Sequence, residues 1–171
     1  MSPKHSFCAV AGLLALSGCG FTPLYGDSGD ATPVAAQVEQ VRVENIPERA
    51  GQMLRDTLQD DMQRQGAPVT QLYALNVSYN VAAEGIGIQP DTSSTRVRYV
   101  ASASWSLAPI GQPDTPVAQG QAISEDAENT VDNQYFASEL ETGTINQQLA
   151  DELAAQITDQ VAVFFKNHPQ G

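Results

Sequence analysis

Alternation of apolar and polar residues runs longest in two segments of the chain. In QLYALNVSYNVAA, residues 71–83, Tyr73, Leu75, Val77, Tyr79 and Val81 share one face of an extended strand, and Asn76, Ser78 and Asn80 share the other. In TRVRYVASASWSL, residues 95–107, Val97, Tyr99, Ala101, Ala103, Trp105 and Leu107 oppose Arg96, Arg98, Ser102, Ser104 and Ser106. Between them EGIGIQPDTSS supplies the Gly, Pro and Asp of a long hairpin loop, and APIGQPDTP makes a second turn before a weaker strand near residues 117–125. Upstream, VEQVRVENIP sets Val41 and Val43 against Arg42 and Glu44, the pattern of a half-buried strand.

Two other segments change to the helical period. Pro47 opens a helix in which Leu54, Leu58 and Met62 recur at every fourth position, with Arg55, Asp56, Asp60 and Arg64 largely opposite; Gly66 and Pro68 close it. From residue 139 to 165, Ile145, Leu149, Leu153, Ile157, Val161 and Phe165 form one row, widened by Ala150, Ala154 and Phe164, although Gly143 weakens the first turn. The predicted fold is α+β, in the order β-α-β-β-β-α. Two helices pack on the Tyr/Leu/Val/Trp face of a four-stranded, largely antiparallel sheet.

The first residues read differently. Lys4, the short apolar run from Phe7 to Leu16, and Ser17-Gly18 before Cys19 form a secretory signal. The run is too short to span a bilayer as a mature helix. Leu16-Ser17-Gly18-Cys19 replaces the usual Ala-x-Ala ending and resembles the lipobox of bacterial lipoproteins, which implies a diacylglyceryl group on the Cys19 thiol and acylation of its freed amine. Two or more chains anchor stably, at about 0.8 kcal/mol per buried CH₂. The expected organisation is a signal peptide over residues 1–18, a lipidated N-terminus and Gly/Asp/Ser/Pro-containing tether over 19–37, a domain over 38–166 and a short tail over 167–171.

Processing removes Cys8 and Lys4. No free thiol remains once Cys19 is acylated, and seven basic residues face the 20 acidic ones, a balance against binding nucleic acid or an anionic membrane surface. Lipid on Cys19 then does the anchoring. His5 leaves with the signal and His168 sits in the tail, so the core region holds no histidine base for a Ser or Cys nucleophile. The pairs Asp60-Asp61 and Glu125-Asp126 lie on surface-like segments, no metal-ligand spacing is visible, and GIGIQPDTSS lacks the lysine and helix of a phosphate loop. These features argue against an enzyme. No cofactor is expected beyond the acyl chains.

The outer faces of the two long strands are made mostly of short uncharged residues, whereas a face meant for bulk water usually carries Lys and Glu. Such a surface suits close packing against another polar protein surface, and it also suits plain solvation. Arg96 and Arg98 point to that same face, and Arg42 joins them if the first strand aligns; they form a candidate anion or partner site, or pair with nearby carboxylates.

Cys19-Gly20-Phe21 with Pro23-Leu24-Tyr25-Gly26 resembles the mature start of the LptE family of lipopolysaccharide-assembly lipoproteins in its alphaproteobacterial form. GIGIQPDTSSTRVRYVASASWSL is similar to that family's central hairpin, and the element order matches its two helices on four strands. The resemblance implies an outer-membrane lipoprotein, anchored on the periplasmic side through Cys19, that plugs and helps assemble the LptD β-barrel and supports lipopolysaccharide delivery to the outer leaflet. Gly20, where an inner-membrane-retaining aspartate would stand, agrees with that location. Family members can contact lipopolysaccharide with basic residues near the hairpin loop; here the loop reads Gln89-Pro90-Asp91 and the nearest cations are Arg96 and Arg98. The alternative is a free-standing periplasmic lipoprotein that binds lipid or serves another envelope transporter.

Overall fold

The computed structural model describes residues 33–63, 70–88, 94–129 and 135–168. The elements are α1 (Val34–Val38), β1 (Val41–Val43), α2 (Arg49–Met62), β2 (Tyr73–Ile88), β3 (Ser94–Pro109), β4 (Ala118–Asn129) and α3 (Tyr135–Asn167). The strands form one sheet in the order β1-β2-β3-β4. β1 runs parallel to β2, while β2, β3 and β4 are antiparallel. A parallel pair cannot be joined by a tight turn, and α2 is the crossover that returns the chain to β1's side.

The α+β fold and its element order are those the periodicity predicts. Leu54, Leu58 and Met62 of α2, and Ile145, Leu149, Leu153, Ile157, Val161 and Phe165 of α3, are all buried in one core with Leu75, Ala101, Ala103, Trp105, Leu107 and Ala122 from the sheet. Tyr73 meets Phe165 edge-on, ring centroids 5.3 Å apart, tying the start of β2 to the last turns of α3.

Over residues 120–124 the inner face of β4 is built from Gly120, Ala122 and Ser124, with Ala122 and Ser124 buried. These small residues bring α3 close enough to reach the outer edge of the strand. Gln160 donates to the Gln121 carbonyl at 3.0 Å and Gln156 to the Ile123 carbonyl at 3.0 Å. The Ser124 hydroxyl donates to Glu152. Glutamines one helical turn apart thus satisfy edge carbonyls two residues apart, which hinders another strand from adding there. Gln160 also accepts the indole N–H of Trp105 at 2.9 Å.

Several details differ from expectation. A third, short helix, α1, occupies the last four residues read as tether and Val38, the first of the expected domain; Val34 and Val38 are buried, two apolar positions too few for a periodicity to register. Pro47 does not open α2, which starts at Arg49 after Glu48, a residue at φ 68° with no side-chain cap. Gly51 is what lets Ile46 pack beneath this start, since a Cβ there would lie 2.7 Å from Ile46 Cγ2. β4 extends to Asn129, and α3 begins at Tyr135. The signal, Cys19, most of the tether, Gly66, Pro68 and the loop Gln89-Pro90-Asp91 lie outside the described residues.

Candidate functional site

α2 packs on β1 and α3 on β3 and β4, and along β3 burial alternates strictly from Ala101 to Trp105. Among the described residues no element covers the opposite face over residues 76–80, 102–104 and 119–123. Its register places Asn76 beside Ser106 and Gln119, Ser78 beside Ser104 and Gln121, and Asn80 beside Ser102 and Ile123. Asn76, Ser78, Asn80, Ser102, Ser104, Gln119 and Gln121 are exposed. A shallow depression of about 400 Å³ lies across the first two rows, with Asn45 at its rim.

The six Asn and Ser positions singled out by alternation therefore do form one continuous surface. The β4 contribution, Gln119, Gln121 and Ile123, was missed. Its signal is present in the sequence, but Gly120, Ala122 and Ser124 are so small that the inward positions do not read as apolar.

The candidate arginines divide. Arg96 and Arg98 share the outer face, in rows with Ile86 and Asn129, and with Glu84 and Ala127. Arg42 does not join them. It pairs with Ala74, which faces Ala108, so it stands ten positions along β3 from Arg98, about 34 Å at 3.4 Å per residue. β1 is short and pairs only with the start of β2, which strands Arg42 at the other end. There it is ion-paired with Glu44.

Arg98 donates to Glu84 at 2.6 Å. That hydrogen bond, with the charges of Glu84 and Glu125, pushes the guanidinium above its usual range. Arg96 is exposed and has no ion pair among the described residues. The charge at this end is thus largely balanced within the face.

A second uncovered feature adjoins this face. β1 pairs with β2 only through Val41↔Tyr73, Arg42↔Ala74 and Val43↔Leu75, so residues 76–88 form a sheet edge with no strand beside it among the described residues. Beyond residue 75 it carries one charged side chain, Glu84, and no proline or lysine to blunt it. On the inner side of this strand the half-buried Tyr79 hydroxyl has no hydrogen-bond partner among the described residues, and burial raises its pKa. Among the described residues no three His, Cys, Asp or Glu side chains cluster as metal ligands, and no helix is long and apolar enough to cross a membrane.

Comparison with known proteins agrees with this fold. The family profile described as "LptE: Lipopolysaccharide-assembly" matches residues 37–161. Similar solved structures include a protein described as a lipoprotein from Caulobacter crescentus, with 22% identity over 81% of this chain and 98% of that one and a TM-score of 0.63. A minor lipoprotein from Acinetobacter baumannii has 14% identity over 75% of this chain and 92% of that one, TM-score 0.57. The rare lipoprotein B of Shewanella oneidensis has 9% identity over 75% and 96%, TM-score 0.55. At these identities the structures speak to fold alone. No curated protein matches in sequence.

Proposed function

This chain belongs to the LptE lipopolysaccharide-assembly family, and from that premise we propose that it is an outer-membrane lipoprotein that plugs the LptD β-barrel. The observation that carries the reading is the bare sheet face of Asn, Ser and Gln side chains, continuous over three strands. Barrel interiors are polar, and short uncharged side chains can meet them without stranding a desolvated charge. The open edge over residues 76–88 fits the same reading, because a long unblunted edge is a liability for a protein that meets solvent on that side. One sheet layer and one helix layer, roughly 20 Å across, fit only the large barrels whose lumen is plugged, about 22 strands or more.

Cys19 carries the acyl anchor in this proposal, on the periplasmic side of the outer membrane. No catalytic step is assigned to the chain, whose part is to fill, assemble and support the barrel during lipopolysaccharide insertion. A mild-detergent pull-down of the tagged, lipidated protein, followed by mass spectrometry, tests it. Near-equimolar recovery of one large outer-membrane barrel is the expected result. Recovery alone, or with an inner-membrane transporter, would replace the plug with the free-standing or accessory role.

Direct contact with lipopolysaccharide is assigned to Arg96 and Arg98 at the hairpin end. Changing both to Ala is expected to lower binding of purified lipopolysaccharide several-fold while barrel recovery stays the same. Arg96→Ala alone should account for most of that loss, since Glu84 already engages Arg98. Binding unchanged in the double variant would remove these residues from the site.

A further inference from the structure

FTPLY, residues 21–25, carries part of the family resemblance. It is uncharged and rich in apolar and aromatic side chains, although it sits in a stretch otherwise suited to be a flexible tether. Glycine, serine and aspartate do follow from residue 26 onward. A tether has no need of Phe21, Leu24 and Tyr25. A docking segment does.

The body offers a matching groove. Between the last turns of α3 and the start of β4 lies an open cavity of about 540 Å³, floored by Trp105, with Val117, Val163 and Phe164 along one part of its lining and polar side chains, Asp159 and Asn167 among them, at its rim. Its volume falls within the roughly 300–1,000 Å³ typical of sites that take a small apolar ligand. Val117 is 44% exposed and Val163 46%, two of the few large apolar side chains left open among the described residues. His168 stacks on Phe164 with centroids 4.6 Å apart and forms one wall.

The described chain starts within reach of this groove. α1 packs on α3 and leads in two residues to Gln40, whose carbonyl accepts the Tyr73 N–H at 3.2 Å. Tyr73 touches Phe165 and Phe165 touches Phe164, with centroids 5.3 and 5.4 Å apart. From Tyr25 to Pro33 the chain spans up to about 28 Å when extended, at about 3.3–3.6 Å per residue. The sequence supplies a neutral apolar segment and a connection long enough to reach, and the described body supplies a groove with an apolar floor.

We propose that residues 21–25 dock in the groove between the C-terminal turns of α3 and the start of β4. Docking shortens the free connection between Cys19 and the folded body to two residues, about 7 Å. The end of the body bearing Leu72 and Ile110, 44% and 41% exposed, is then held against whatever surface holds Cys19. The segment acts as an orienting strap. This inference depends on the fold and the leader-proximal motif, and it stands whether or not the partner is a barrel.

Disulfide trapping in the full-length protein in its own envelope tests it. Leu24→Cys is combined with Val163→Cys in the groove or, as control, with Ile123→Cys on the far face, which is 57% exposed. Non-reducing gels after thiol alkylation are expected to show most of the first variant cross-linked and less than about a tenth of the control. Adding Phe21→Ala and Tyr25→Ala should cut the first yield at least by half. Equal yields in the two pairs, no cross-link in the first, or a yield indifferent to Phe21 and Tyr25 would each overturn the proposal. Barrel recovery from the same cells is scored separately, so failure of the strap and failure of the plug are told apart.

Discussion

Gly120→Val is expected to destabilise the domain by about 1–5 kcal/mol, with Gly120→Ala intermediate. Gly120 lies on the inner face of β4, where an added Cβ would sit 2.7 Å from Trp105 Cζ2, 2.8 Å from Trp105 Cε2 and 2.6 Å from Gln160 Oε1. Those atoms belong to one hydrogen-bonded unit. Gln160 accepts the indole N–H and donates to the Gln121 carbonyl, so it cannot step aside without losing one bond or both. Overpacking in a core costs about 1–3 kcal/mol, and a buried donor left without its acceptor about 1–3 more. An opposing effect exists, since replacing glycine in a strand interior gains roughly 0.5–1 kcal/mol of backbone entropy. The steric cost exceeds it. Urea unfolding followed by the fluorescence of Trp105, the single tryptophan, measures the outcome. A midpoint for Gly120→Ala at or above that of the parent would show that the ring and helix yield, and that the close approach of α3 to β4 is not required.

The second large effect concerns association rather than folding. Ser78 and Ser104 are cross-strand neighbours at the centre of the bare face, and both are exposed. Changing both to Glu is expected to leave the fold nearly intact, because like charges opposite one another on a sheet cost only about 0.2–1 kcal/mol. Recovery of the barrel is expected to fall more than tenfold, since desolvating even one unpaired carboxylate costs several kcal/mol and tenfold needs only about 1.4. Ser78→Lys with Ser104→Glu separates charge from repulsion, because the two side chains neutralise each other in the free protein yet still resist desolvation by a partner. Both variants should fail to recover the barrel while unfolding at nearly the parental urea concentration. Normal recovery in both would move the contact away from this face.

The two substitutions also mark what could be read from the chain. Ser78 and Ser104 were identifiable as surface positions from alternation alone, because Val77, Tyr79, Ala103 and Trp105 flank them with apolar residues. Gly120 was not. Its neighbours Ala122 and Ser124 carry too little apolar area to show a period of two, and the reason for their smallness is a helix that arrives from residues beyond 135. The same holds for Gln156 and Gln160, which read as polar positions on the outside of α3 and in fact seal the edge of β4.

Charge placement shows the same division. That Arg96 and Arg98 share a face follows from their spacing of two. That Glu84 neutralises Arg98 depends on the hairpin register, fixed by a loop whose length alone does not specify it. Arg42 illustrates the limit further: its side of β1 was legible, but its distance from the other two was decided by which end of β2 the crossover helix delivers β1 to.

What the sequence determined, then, is what near neighbours along the chain govern: the period of each strand and helix, the core rows of α2 and α3, the polar character of the sheet's free face, and the lipobox expectation at Cys19. The tertiary structure decided the parallel placement of β1, the short helix α1, the glutamine seal on one sheet edge and the openness of the other, and the groove beside Trp105. The first set depends on repeats of two or 3.6 residues, which local backbone geometry imposes. The second depends on contacts between residues far apart in the chain, whose energies arise only once the sheet and helices are packed together.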